Sequence, residues 1–136
     1  MTDDIGRGGI LLLGPTGSGK TPLGELLERD GLWARRCHHF DFGRQLRRIV
    51  AAGGGGGFTE QDMSVLRRVL RTGALLEDEH FHIAEKILRA FIESRNPGAD
   101  DLIVLNGLPR HAGQARDIKA IVAIGSVVHL SCTPEV

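Results

Sequence analysis

Eight residues near the start of the chain have the types and the spacing needed to bind phosphate. The stretch Gly14–Thr21 fits the pattern G-x-x-x-x-G-K-[ST], the P-loop or Walker A motif, without a mismatch. Its glycines allow a tight turn in which successive backbone N–H groups face an anion. Lys20 adds a cation for the β- and γ-phosphates, and the Thr21 hydroxyl is placed to bind Mg²⁺. The motif therefore predicts a site for ATP and Mg²⁺. It comprises Gly14, Pro15, Thr16, Gly17, Ser18, Gly19, Lys20 and Thr21.

The flanking sequence supports this prediction. Gly9–Leu13 has the apolar character of a short buried strand and leads directly into the loop. After the loop, Leu23, Leu26 and Leu27 recur at helical spacing, and Pro22 is tolerated in a first helical turn. A bound phosphate would therefore lie at a helix N-terminus, where free amides and the helix dipole favour an anion.

Strand-like and helical patterns alternate along the whole chain. The expected strands are Ile10–Leu13, Cys37–Phe42, Leu102–Leu105 and Ser126–Cys132. The expected helices are Lys20–Arg29, Gly43–Ala52, a helix with Thr59 as its N-cap, and Asp78–Ser94. This alternation predicts an α/β fold in which helices cover both faces of a parallel sheet, the three-layer arrangement of P-loop nucleoside triphosphate hydrolases.

Three helical patterns stand between the second and third strands, which is more than a crossover needs. We therefore expect a small helical insertion at residues 42–76, inside a P-loop core that spans residues 1–136. The glycine run Gly53–Gly57 has no side chains to pack and is predicted to be a mobile linker within the insertion.

Composition gives no indication of a nucleic-acid or membrane partner. The 17 Lys and Arg residues balance the 17 Asp and Glu residues, and no apolar run approaches membrane-spanning length. Cys37 and Cys132 lie in or beside predicted strands and are expected to be buried free thiols of a soluble, cytoplasmic protein. The neighbours His38 and His39 should face opposite sides of a strand. Trp33 is expected to pack at the edge of the sheet.

Three further blocks carry a family resemblance. Leu102–Arg110 ends in Asn-Gly-Leu-Pro-Arg and is followed by Gln114 and Ala115. Asp41–Arg47 reads Asp-Phe-Gly-Arg-Gln-Leu-Arg, and Gly73–Glu79 reads Gly-Ala-Leu-Leu-Glu-Asp-Glu. These blocks resemble, in order, the D-G-F-P-R and Q-A signature, the T-G-D-M-L-R stretch, and the turn that closes the monophosphate-binding subdomain of adenylate kinases. With the phosphate-binding loop, they cover nearly all of the chain.

The resemblance implies transfer of the γ-phosphoryl group of Mg-ATP to a nucleoside monophosphate. Lys20, Arg47 and Arg110 would be the catalytic residues, with both arginines on the acceptor phosphate. Guanidinium groups suit this role because they bind a phosphate dianion in a forked geometry. An acceptor that is already ionised needs no catalytic base, so alignment and charge neutralisation would suffice. The residues implied for substrate binding are Phe42, Gly43, Arg47, Leu75, Leu76, Gly107, Arg110 and Gln114.

Several positions depart from the family pattern. Asn106 stands where the signature has aspartate, so its amide is expected to reach Mg²⁺ only through a bound water. Phe42 and Arg44 replace the threonine and aspartate of the family, which leaves the identity of the acceptor base open. The sequence given ends at Val136, before the lid and the C-terminal part of the family fold. The lid of the family supplies arginines that close over the nucleotides, and arginines in this role accelerate related phosphoryl transfer by about 10³- to 10⁵-fold. We therefore expect loose nucleotide binding and slow turnover from this chain.

Two other functions are consistent with the sequence. The Gly-Lys-Thr ending of the loop also resembles kinases of small metabolites, such as gluconate and shikimate kinases. Those enzymes deprotonate an alcohol and need a carboxylate near the acceptor, for which Asp41 is the candidate. The third possibility is a catalytically impaired nucleotide-binding fragment.

Overall fold

The computed structural model describes residues 7–15, 17–55, 57–72, 80–109 and 112–131. Its strands are β1 (Arg7–Leu13), β2 (Cys37–Asp41), β3 (Leu102–Asn106) and β4 (Val122–His129). Its helices are α1 (Lys20–Asp30), α2 (Phe42–Ala51), α3 (Glu60–Thr72), α4 (Phe81–Arg95) and α5 (Ala112–Asp117). The expected order of strands and helices, including three helices between the second and third strands, is confirmed.

The strands form one parallel sheet in the order β2-β3-β1-β4. Asn106 is the register partner of Leu12 on one side and of Asp41 on the other. The carboxyl ends of β1, β2 and β3 therefore meet at one edge of the sheet, the edge at which ligands bind in open α/β sheets. The predicted α/β class with a parallel sheet is confirmed.

Alternation along each strand gives the sheet two apolar faces. On one face, Ile10, Leu12 and Val104 pack against Leu23 and Leu27 of α1. The opposite face forms a larger core with α3 and α4 and includes Leu11, Phe40, Leu105, Leu88 and Phe91. Helices thus cover both faces, as predicted.

The two neighbouring histidines of β2 follow the same alternation. His39 lies beneath α1, whereas His38 is hydrogen-bonded to Asp101, 2.9 Å away, and lies near Arg95 of α4. They face opposite sides of the sheet, as predicted. Cys37 is a buried free thiol, and burial raises its pKa above the ordinary value. Cys132 lies outside the described residues.

Helices α2 and α3 share the larger core with the sheet. Phe42, Leu46, Met63 and Leu66 are buried in the same cluster as Phe91 of α4. These helices correspond to the described part of the insertion predicted at residues 42–76, whose end lies outside the described residues. Their apolar faces are therefore joined to the main core and do not form a separate one.

Polar contacts fix the start of α3 and the glycine run before it. Thr59 is the N-cap, as predicted: its Oγ1 accepts from the Asp62 N–H at 3.0 Å, and Asp62 Oδ2 accepts from the Thr59 N–H at 3.1 Å. Lys86 Nζ of α4 donates to Asp62 Oδ2 at 2.7 Å and to the Gly57 carbonyl at 2.9 Å. The described end of the glycine run is thus tied to α4 through one ammonium group.

Two sequence predictions differ from the structure. Strand β4 begins at Val122, before the expected Ser126, because Gly125 is a bulge: Gly9 pairs with Ile124 and the next residue, Ile10, pairs with Ser126. The prediction for Trp33 is wrong. Its side chain is 63% exposed, in a tight turn where Trp33 and Ala34 have positive φ angles of 55° and 61°.

The two outer strands of the sheet differ in how well their outer edges are protected from pairing with another strand. At β2, the Glu28 carboxylate accepts from the His39 N–H at 2.6 Å and from Arg95 at 2.8 Å. Burial alone would raise the pKa of Glu28, but these two hydrogen bonds outweigh it and leave the pKa below its ordinary value. Strand β4 contains no Asp, Glu, Lys or Arg, and among the described residues no strand pairs with its outer side. None of the described helices combines the length and the apolar character that crossing a membrane requires.

Candidate phosphate-binding site

The loop of the phosphate-binding motif connects the carboxyl end of β1 to the first residue of α1. It lies at the edge where β1, β2 and β3 end. Lys20 Nζ donates to the Gly14 carbonyl at 2.7 Å, and the Ser18 N–H donates to the Pro15 carbonyl at 3.1 Å. These bonds close the loop on itself and hold the ammonium group inside its curve.

The start of helix α1 lacks a side-chain cap. Helix α1 begins after Gly19, which has no side chain to cap the first-turn amides. Gly17 and Gly19 have φ angles of 85° and 101°, and a Cβ built on either would meet nothing within 4 Å. The Ser18 hydroxyl is buried and is without a hydrogen-bond partner among the described residues. Uncapped amides, open space and an orphan hydroxyl are what a polyphosphate requires.

Three side chains from different elements meet beside the loop. Asn106 Nδ2, at the end of β3, donates to Thr21 Oγ1 at 3.2 Å. The Thr21 hydroxyl in turn faces Asp41 Oδ2, at the end of β2, at 3.5 Å. The other carboxylate oxygen, Asp41 Oδ1, accepts from the Arg44 N–H at 3.1 Å and caps helix α2. The structure thus joins the loop threonine to the ends of two strands.

A buried histidine is hydrogen-bonded to this network at Asn106. His39 Nε2 lies 3.1 Å from Asn106 Nδ2, and the amide is the donor in this pair, so the ring accepts through Nε2. Burial lowers the pKa of His39, which keeps the ring neutral and able to accept. The ring packs against the backbone of α1 at Gly24, where a Cβ would lie 2.3 Å from Nε2. Gly24 therefore allows α1 to approach β2 closely.

These residues fit a Mg-nucleotide on chemical grounds. Mg²⁺ bound with a nucleotide keeps several waters and takes one or two protein oxygens in addition to phosphate oxygens. The Thr21 hydroxyl and the Asp41 carboxylate are oxygens of this kind, and the orphan Ser18 hydroxyl suits a phosphate. The described residues contain no group of three or more His, Cys, Asp or Glu side chains that could hold a metal ion without such a ligand.

The residues implied for the acceptor are less closely connected. Arg47 lies on the exposed side of α2, and its guanidinium is 3.3 Å from the position that a Cβ on half-buried Gly43 would take. Among the described residues no ion pair involves Arg47, whereas Arg44 is paired with Glu25 of α1 at 2.8 Å.

The other acceptor residues lie deeper or outside the described chain. Phe42 is a core residue, only 8% exposed, and Gly107 lies against it, with a built Cβ 3.2 Å from Phe42 Cβ. This contact brings the predicted blocks at residues 41–47 and 102–110 together. Gln114 is buried on α5, so it is not a solvated helix residue. The predicted site residues that lie outside the described residues are Thr16, Leu75, Leu76 and Arg110.

Three residues contribute more to the site than the sequence indicated: Asp41, His39 and Gly24. Asp41 entered only as a candidate base for another function, and His39 only as a strand residue. A polar residue at the last position of a predicted strand was the available signal for Asp41, since strand ends meet at one edge of a parallel sheet. For Gly24, the signal was a glycine inside an otherwise regular helical pattern.

Comparison with known protein families finds no match for this chain, and comparison with curated proteins finds none either.

Proposed function

We propose that this chain is an ATP-dependent phosphotransferase of the adenylate kinase type, with the fold of a P-loop nucleoside triphosphate hydrolase. It would transfer the γ-phosphoryl group of Mg-ATP to a nucleoside monophosphate. The observation that carries the proposal is the junction of β1 and α1. There, Lys20 and uncapped amides surround open space at the carboxyl edge of the sheet, and Thr21 lies between Asp41 and Asn106.

Different groups of the chain would bind the phosphates and the metal of the donor nucleotide. Backbone amides at residues 19–21 and the Ser18 hydroxyl would bind the phosphates, and Lys20 would exchange the Gly14 carbonyl for a phosphate oxygen. Thr21 would bind Mg²⁺, which, when present, neutralises charge on the β- and γ-phosphates. Positioning and charge compensation then account for catalysis, because phosphoryl transfer requires little covalent help from the protein.

The acceptor is assigned from the position of α2. This helix begins immediately after β2, so Arg47 lies one to two turns from the edge that carries the loop. An acceptor phosphate is a dianion above a second pKa of about 6 and can attack without a base. The contact between Phe42 and Gly107 supports this assignment, because it makes the blocks at residues 41–47 and 102–110 neighbours.

The test has a binding arm and a transfer arm. ATP with Mg²⁺ is titrated into the protein by calorimetry, and ADP release is then followed in a coupled assay with AMP, CMP, UMP or GMP. We expect ATP binding and turnover that depends on one of the monophosphates. Binding without transfer to any monophosphate would contradict the acceptor assignment and favour a nucleotide-binding module. Absence of binding would contradict the site itself.

A kinase of a small metabolite is the second candidate, and the position of Asp41 favours it. A carboxylate oxygen 3.5 Å from the loop threonine is close enough to the donor phosphates to accept a proton from an alcohol. A screen of hydroxyl acceptors in the same coupled assay separates the two candidates. Turnover with a sugar acid or polyol, and none with monophosphates, would establish this candidate in place of the first.

A further inference from the structure

We propose that Asp41 supplies the negative charge of the Mg²⁺ site from β2, in place of the carboxylate that the family signature has at the position of Asn106 on β3. The inference rests on the proposed function, because it assumes Mg-ATP in the loop. It concerns a residue for which the family resemblance implies no role.

The register of the sheet places the two positions side by side. Asp41 and Asn106 are Cα partners at the ends of neighbouring parallel strands. Adjacent strands lie about 4.8 Å apart, so moving a carboxylate from one position to the other displaces the charge by one strand spacing. Both side chains reach Thr21, which shows that they are on the same face of the sheet.

The distance from Thr21 fits the second coordination sphere of the metal. Mg²⁺ lies about 2.0–2.1 Å from its ligands, and its bound waters donate hydrogen bonds of about 2.7 Å. A carboxylate oxygen 3.5 Å from the Thr21 hydroxyl is therefore within reach of a water on the same ion. Asp41 also accepts the hydrogen bond from the Thr21 hydroxyl, and Asn106 donates to that hydroxyl, which leaves one of its lone pairs for the metal.

Asn106 is held in an orientation that does not serve a cation. Its Nδ2 group faces Thr21 Oγ1 at 3.2 Å and His39 Nε2 at 3.1 Å. It thus presents donors to the loop, and a cation is repelled by donors. The amide positions the Thr21 hydroxyl, and the charge comes from the neighbouring strand.

The same carboxylate connects the metal to the acceptor side. Asp41 Oδ1 caps α2 through the Arg44 N–H, while Oδ2 faces the loop. Helix α2 also carries Arg47. Asp41 would therefore link the metal to the first turn of the helix proposed to hold the acceptor.

Asp41→Asn separates charge from structure. Asparagine caps helices about as well as aspartate, so the variant should unfold at nearly the temperature of the wild type. Fluorescent ATP is titrated in EDTA and in Mg²⁺, and the ratio of the two dissociation constants measures the contribution of the metal. We expect D41N to reduce this ratio about 10- to 100-fold, as found for partners in the second shell of a metal. Asp117→Asn, on an exposed residue of α5, should leave the ratio unchanged.

The charge swap D41N/N106D completes the test. A carboxylate returned to β3 should restore most of the Mg²⁺ dependence that D41N loses. If D41N retains the wild-type ratio, the assignment is overturned. The same holds if D41N retains the ratio but loses transfer to a hydroxyl acceptor, because Asp41 would then act as a base. If the wild type itself binds no ATP in either buffer, the proposed function fails and the inference falls with it.

Discussion

The donor side and the acceptor side of the candidate site are built in different ways. On the donor side, Lys20, Thr21 and Asn106 are joined to their neighbours by hydrogen bonds of 2.7 to 3.2 Å, and β1, β3 and α1 hold them. On the acceptor side, Arg47 projects from α2 without an ion pair among the described residues. Lys86 of α4 ties α3 and the described end of the glycine run to α4.

This difference shows how each side gains its geometry. A loop of eight adjacent residues between a strand and a helix needs little beyond local order to form a phosphate site. The acceptor residues are far apart in sequence, and their arrangement depends on how α2 and α3 pack. We therefore expect substitutions on the donor side to weaken nucleotide binding, and substitutions on the acceptor side to change acceptor use or stability while ATP binding is kept.

The largest effect is expected at Lys20. Lys20→Met removes the loop ammonium and should weaken ATP binding by about 1.5–3 kcal/mol, the value of a hydrogen bond to a charged group, or roughly 10- to 100-fold. Calorimetric titration with Mg-ATP measures the effect. Lys119→Met, on an exposed residue, is the matched control. Equal affinities of the two variants would show that the loop does not hold the triphosphate.

A glycine-to-alanine substitution should lower the free energy of unfolding on the donor side and raise it on the acceptor side. Gly24→Ala places a Cβ 2.3 Å from the buried His39 ring, and overpacking of this kind costs about 1–3 kcal/mol, offset by about 1 kcal/mol of helix propensity. At Gly43→Ala the new Cβ would lie 3.3 Å from the flexible end of Arg47 and 3.6 Å from Asp41 Oδ1, an ordinary contact, so the gain in helix propensity should remain. Urea unfolding compares both with the wild type. If Gly24→Ala were the more stable variant, the close contact between α1 and β2 would be wrong.

Arg47 tests the acceptor side alone. Arg47→Ala should raise the KM for the monophosphate about tenfold, as loss of one charged hydrogen bond predicts, with the Kd for ATP unchanged. Arg48→Ala, on the next exposed position of α2, should change neither constant. A reversed result, with Arg48 the sensitive residue, would move the acceptor phosphate to another face of the helix.

The smallest effect is expected at the tie between α3 and α4. Lys86→Met should lower the free energy of unfolding by about 0.5–1 kcal/mol, because the Lys86 side chain is partly exposed. The hydrogen bond from Lys86, together with the Thr59 N–H, holds the pKa of Asp62 below its ordinary value of 3.8. The stabilisation is thus present above that pH and is lost as the pH falls through the folded pKa, so wild type and variant should converge in acid. Thermal unfolding at pH 7 and pH 3 provides the comparison.

Much of the fold followed from local patterns in the sequence. The first three strands, the helix after the loop and the Thr59 cap were predictable because apolar periodicity and capping act over a few residues. The start of β4 was not, because a glycine within a strand is indistinguishable in sequence from a turn until its pairing is known. Trp33 was misplaced for a related reason: large aromatic residues usually pack, but a turn with two positive φ angles directs this one outward.

The candidate site was predictable only where it is contiguous. The loop residues could be named because their spacing is the motif. The proximity of Asp41 to Thr21 depends on the strand order β2-β3-β1, which places α1 across the ends of β3 and β2. The pairing of Gly24 with His39 likewise requires knowing which helix covers which strand. Such relations are tertiary, and no local pattern encodes them.

The Glu28 carboxylate on the outer side of β2 limits how this sheet could be extended. A foreign strand approaching there would have to displace an anion from the His39 amide and separate it from Arg95. The eight residues of β4 include no Asp, Glu, Lys, Arg or Pro, so the features that commonly prevent an edge strand from pairing with another strand are missing there. Among the described residues β4 is therefore the more open edge of the sheet, and it lies next to β1, the strand that leads into the phosphate loop.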